Sequence, residues 1–182
     1  MAGPARISLQ VQRGGVFFST NNGTSWNQLK SGYTRSLAAS GTNLFAHTDS
    51  LFLSTNNGTS WTAINQLSPF IDCLFALDGT NLLAGFYYAT STGPPGPNPT
   101  VYQSIDAGTT WTVVLKDYDT FDFAVSGTNV FAGTSGGVFL STNSGTSWTN
   151  VGLDTLWVKA LVVSGTNIYA GTSTGVFKGT MQ

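Results

Sequence analysis

Short apolar runs alternate along the chain with tight polar segments rich in Gly, Asn, Ser and Thr. No stretch carries the apolar spacing of an amphipathic helix, so the runs predict strands and the polar segments predict turns. One unit reads as follows: Ser36 to Ser40 is a small-residue strand A, Gly-Thr-Asn a turn, Leu44 to Thr48 strand B, and Leu51 to Ser54 strand C. An Asn-Asn-Gly-Thr turn then leads to strand D, Ser60 to Ile64. Strand A recurs at Cys73 to Leu77, Phe121 to Val125 and Lys159 to Val163. Strand C occurs at Val16-Phe17, Leu51-Phe52, Val101-Tyr102, Val138-Phe139 and Val176-Phe177. Strand D follows only the first four of these, and strand A precedes only the last four. Ile7 to Gln12 aligns with strand B by its distance to Gly14-Gly15. The chain therefore reads BCD, then ABCD three times, then ABC.

Two interleaved motifs set the period. Gly-Thr-Asn begins at Gly41, Gly79, Gly127 and Gly165, spaced 38, 48 and 38 residues. The long interval holds an insertion, Phe86 to Thr100. The second motif is S-x-(D/N)-x-G-x-x-W. Its copies are Ser19, Asn21, Gly23, Trp26; Ser54, Asn56, Gly58, Trp61; Ser104, Asp106, Gly108, Trp111; and Ser141, Asn143, Gly145, Trp148. The Asn or Asp oxygen can accept backbone N–H groups of its own turn, Gly permits left-handed geometry, and Trp covers the hairpin. A period near 38 residues without helices implies units of four short strands. The repeats run at about 7–31, 32–66, 67–116, 117–152 and 153–180, in one domain.

This motif resembles the Asp-box, or bacterial neuraminidase repeat, of β-propellers such as sialidases, sortilin-type receptors, xyloglucanases and photosystem assembly factors. The resemblance spans about Ile7 to Lys178 and implies an all-β propeller of antiparallel blades, about five, with ragged BCD and ABC ends. In that family the box is a structural turn remote from the active site. Three boxes carry Asn where the family usually has Asp; the amide still accepts, so the turn is expected to survive. A five-blade ring within one chain is the first expectation. A ring or stack completed by a second chain, or a piece of a longer array, are the alternatives, because exposed blade edges recruit partners.

Composition narrows the function. Only 8% of the 182 residues are charged, there is no Glu, and the net charge is −1. Seven scattered Lys and Arg do not supply the clustered charge that nucleic acid requires. No apolar run approaches the ~18 residues of a membrane span. The N-terminal residues carry no apolar leader segment, although the Thr/Ser-rich surface is extracellular in character. Cys73 is the only cysteine, which excludes an intrachain disulfide, and reads as a small core hydrophobe. With one histidine, His47, the chain offers no zinc set, and Asp117, Asp119 and Asp122 lack the spacing of a calcium loop. No metal or cofactor is expected. His47 and Asp49 read as a polar pair at a loop mouth. Asn22-Gly23-Thr24 and Asn57-Gly58-Thr59 match the glycosylation sequon but sit inside box turns.

In a propeller strand A lines the channel, and the D–A and B–C loops share one face. These loops vary most, and loops on a rigid scaffold tend to carry function. They hold Tyr33 and Arg35; Phe70 and Asp72; Tyr118, Asp119 and Phe121; and Asp154, Trp157 and Lys159. Tyr87 and Tyr88 stand at the base of the insertion. Aromatics beside short polar groups suit a glycan or a protein segment; the same aromatics could instead plug the channel and pack between blades. A sialidase-like site would need three clustered Arg, a Tyr nucleophile and a Glu. This chain has only Arg6, Arg13 and Arg35, and no Glu. Paired acids could come only from Asp72, Asp119, Asp122 and Asp154. The reading is thus a non-catalytic binding module, monomeric or self-associating through its terminal blades. A structural segment of a larger surface protein is the alternative, and a glycoside hydrolase is less favoured.

Overall fold

The structure, a computed structural model, describes residues 8–12, 14–48, 50–64, 71–86 and 100–181. Eighteen strands form five antiparallel sheets, with no helix among the described residues. The first sheet holds β1 (Ser8–Gln12), β2 (Gly15–Ser19) and β3 (Asn27–Ser31). The second holds β4 (Ser36–Ser40), β5 (Asn43–His47), β6 (Leu51–Ser54) and β7 (Thr62–Ala63). The third holds β8 (Ile71–Asp78), β9 (Asn81–Phe86), β10 (Thr100–Ser104) and β11 (Thr112–Lys116). The fourth holds β12 (Thr120–Ser126), β13 (Asn129–Thr134), β14 (Gly137–Ser141) and β15 (Thr149–Gly152). The fifth holds β16 (Val158–Ser164), β17 (Asn167–Thr172) and β18 (Gly175–Thr180). Each sheet is a meander in chain order, as in a propeller blade. The ragged ends stand as the repeats imply: the first blade lacks its innermost strand and the last its outermost.

Blades meet along their innermost strands, β4 on β8, β8 on β12 and β12 on β16. Strand B is sandwiched between two neighbouring blades, which explains why it reads as a continuous apolar run rather than an alternating one. In β13, Val130 and Ala132 pack toward the third blade, while Phe131 packs toward the fifth. In β9, Leu82, Ala84 and Phe86 join the second-blade interface and Leu83 joins the fourth. Each junction has its own core: Phe45 and Leu51 with Leu74 and Leu82; Leu83 and Val101 with Phe123 and Phe139; Phe131 and Val138 with Leu161 and Ala170. Close approach between blades also fixes Gly85, where a Cβ would stand 2.5 Å from the Cys73 sulfur and 2.9 Å from Thr120.

The four box turns share one hydrogen-bond pattern. Ser54 Oγ donates to Asn56 Oδ1 (2.9 Å) and accepts from Gly58 N (2.8 Å). Asn56 Oδ1 accepts Ser60 N (2.9 Å), and Trp61 Nε1 donates to Gly58 O (3.1 Å). The amide does what a carboxylate would, and its Nδ2 adds a bond to Ser60 Oγ (2.9 Å). In the third copy the acid returns and Thr110 replaces that serine, donating its hydroxyl to Asp106 Oδ2 (2.6 Å). Bonds from the Thr110 hydroxyl, the Thr110 amide and the Ser104 hydroxyl hold the Asp106 carboxyl down to about 2. The left-handed residues are the motif Gly and the residue before it: Asn22, Asn57, Ala107 and Ser144, with φ of 55–57°.

Two expectations are corrected. The described residues form an open arc rather than a closed ring, because the outward face of the fifth blade is not covered by the first: Val176 there is 76% exposed. His47 is not at a loop mouth. It is fully buried in β5, opposite Ser36 and Leu51, because that register position points into the next junction. Asp49 lies outside the described residues.

Candidate binding face

The β3–β4, β11–β12 and β15–β16 loops, which join one blade to the next, place most of the candidate residues. Two exposed clusters result. Between the first and second blades, Tyr33 is 59% exposed and the Arg35 guanidinium lies 5.8 Å from its ring. Arg35 is anchored through its backbone N–H to His47 O (2.8 Å), which continues the strand pairing of β4. Tyr33 and Arg35 border a cleft of about 560 Å³ whose floor includes Lys30 and Phe52, with the Lys30 ammonium 3.5 Å from the Phe52 ring. Two cations over two aromatic rings, open to solvent, make a surface that can hold a flat or anionic group.

Between the fourth and fifth blades, Phe121 stacks on Trp157 at 5.7 Å and 28°. The Lys159 ammonium stands 5.7 Å from the Trp157 ring, which is 46% exposed. Phe121 and Lys159 occupy the same repeat position as Arg35, six residues before Gly-Thr-Asn. Cys73 is the fourth member of that set; its half-buried thiol donates to Thr120 O (3.4 Å). Phe121 and Asp72 lie within the strands β12 and β8 rather than in loops.

The remaining candidates divide. Tyr118 packs on Phe139 (4.7 Å) and belongs to the junction core of the third and fourth blades. Asp119 is half-buried and ties its loop to the next hairpin, its N–H donating to Ser135 Oγ (3.1 Å) and its carbonyl accepting Ser135 N (2.9 Å). Phe70, Tyr87 and Tyr88 lie outside the described residues, as does the side chain of Asp72. Asp122 ties two blades together: its carboxylate accepts Phe123 N (2.9 Å) and Leu161 N (2.8 Å), bonding the fourth blade to the fifth. Ser36 does the same between the second and third blades, accepting Leu74 N (2.8 Å). The signal for this role was a polar residue five places before Gly-Thr-Asn, and it appears in only two repeats. Among the described residues no three His, Cys, Asp or Glu gather as a metal site.

Similarity to known proteins fits the fold. No protein-family model matches the chain, and no curated protein does. Solved structures match well in shape. An ancestral GH74 enzyme superposes with a TM-score of 0.72 at 22% identity, over 94% of this chain and 26% of that one. A chain of the nidogen/laminin complex gives 0.73 at 12% identity, over 97% of this chain and 72% of that one. YCF48 from Cyanidioschyzon merolae gives 0.66 at 12%, over 96% of this chain and 66% of that one. The chain spans about a quarter of the GH74 enzyme's length. The fold is that of β-propellers. Enzymes and non-enzymes share it, so function must be argued from the site.

Proposed function

We propose that this chain is a non-catalytic binding module built from Asp-box-type blades, which recognises a glycan or a protein segment through the loops joining successive blades. The observation that carries the reading is the pair of exposed aromatic–cation clusters, Tyr33 with Arg35 and Phe121 with Trp157 and Lys159. Aromatic faces bind the apolar faces of sugars or of side chains, and adjacent cations supply orientation and attract acidic groups. The commitment of Asp122 to two backbone N–H groups favours binding over catalysis, since it removes one member of the few possible acid pairs.

A glycan array and a peptide library read by direct binding test this. Trp157→Ala and Tyr33→Ala are each expected to weaken the best ligand about tenfold or more, with an unchanged thermal midpoint. Retained affinity in both variants would remove the site from this face. Turnover of a fluorogenic glycoside, lost in Asp119→Asn, would replace the binding reading with a hydrolytic one.

A further inference from the structure

The fifth blade carries a finished interface with nothing on it. At the strand-C position that faces the next blade, Val16, Leu51 and Val101 are 0% exposed and Val138 is 7% exposed; the fifth copy, Val176, is 76% exposed. Three residues before Gly-Thr-Asn, Ala38 and Ala124 are each 8% exposed, whereas Val162 is 59% exposed. The third contributor is the strand-B aromatic or aliphatic residue that is buried as Phe45, Leu83 and Phe131; here it is Tyr169, half-buried. The sequence has kept this face apolar, and at Val162 enlarged it, where a terminal repeat left in water would turn polar.

The first blade does show that polar substitution. By register Ser8 pairs with Ser19 as Val130 pairs with Ser141, and Gln10 pairs with Phe17 as Ala132 pairs with Phe139. The two strand-B positions that face a preceding blade are thus Ser and Gln in the first blade, and aliphatic in the other four. The first blade also has no innermost strand, although the other junctions are made mainly between innermost strands. Head-to-tail closure onto the first blade would set Val162 and Val176 against polar positions. The surface of this chain that matches an apolar blade face is the same face of another copy.

We propose that the chain forms a two-fold dimer in which the fifth blades of two copies pack face to face through Val162, Tyr169 and Val176. The contact is isologous and therefore stops at two copies. Sheets pack in this way through their apolar faces in sandwiches. The pair presents its binding loops twice, so a multivalent ligand would be held more tightly than a single site allows.

Light scattering on the eluting 182-residue protein tests the proposal. The expected mass is about twice 19.1 kDa at micromolar concentration. Val176→Asp and Val162→Asp are expected to raise the dimer dissociation constant about a hundredfold or more, with unchanged circular dichroism. Should either Asp variant misfold, the near-isosteric Val176→Thr keeps the fold, and about a tenfold weakening is expected. A monomer at about 100 µM, or a dimer indifferent to every one of these folded variants, overturns the proposal. So does a species that grows beyond two copies with concentration, which would mark contact between unlike faces.

Discussion

At the residue scale the box serine is the centre of its turn. Ser141 is 1% exposed, donates to Asn143 Oδ1, and accepts from Gly145 N and Asn143 N. Ser141→Ala leaves those donors without an acceptor in a buried place and is expected to cost about 1–3 kcal/mol in urea unfolding. Ser144 adopts φ 55° in the fourth turn, a conformation that Asn tolerates better and that Asn22 and Asn57 hold in the first two. Ser144→Asn is expected to stabilise by about 0.5–1 kcal/mol in the same measurement. The turn at Asp106 is the one box with a titratable group. Its carboxyl titrates lower in the fold than in the unfolded chain, so its contribution is complete above the ordinary value of 3.8 and is lost as the pH falls toward about 2. Comparing acid unfolding of the wild type with Asp106→Asn from pH 5 to pH 2, on the pH scale of that titration, should show a shallower acid limb in the variant. Equal slopes would mean that the carboxylate bonds do not persist in solution.

At the element scale, blades are joined by apolar residues from strands A, B and C and by a few polar cross-links. Leu161 N has the Asp122 carboxylate as its acceptor, on an otherwise apolar junction. Asp122→Ala is expected to destabilise by about 1–3 kcal/mol and to speed hydrogen exchange of the Leu161 amide. Trp157→Ala, on an exposed ring at the same junction, should leave stability within about 0.5 kcal/mol. The contrast separates the acid that holds the blades from the aromatic that faces solvent; equal losses in both variants would merge the two roles.

At the scale of the whole molecule, stability is a chain of nearest-neighbour junctions. Strands buried on both sides should open last. Hydrogen exchange is expected to be slowest in β9 and β13, whose Leu82 to Phe86 and Val130 to Thr134 are all buried, and fastest in β18, where every residue is exposed. Uniform protection across the blades would show that the arc opens as one unit.

The repeat, the order of strands, the ragged ends and the box turns are all legible in the linear order of residues. Each of these is local: a two-to-four-residue turn with Gly and Asn, an apolar run, and a fixed spacing encode it without reference to distant residues. The same order singles out the aromatics of the connecting loops. Which of them face solvent is settled by packing between blades. Tyr118 and Trp157 sit in equivalent loops, yet Tyr118 meets Phe139 across a junction and Trp157 remains half-open, because the neighbouring blade offers a ring in one case and not in the other. Packing likewise makes His47 interior, sets Asp122 between two blades, and leaves the arc unclosed. Those facts depend on which blade lies beside which, and one strand's own pattern cannot state them: the alternation that puts a residue on a face is local, while whatever covers that face comes from about 38 residues away or from another molecule.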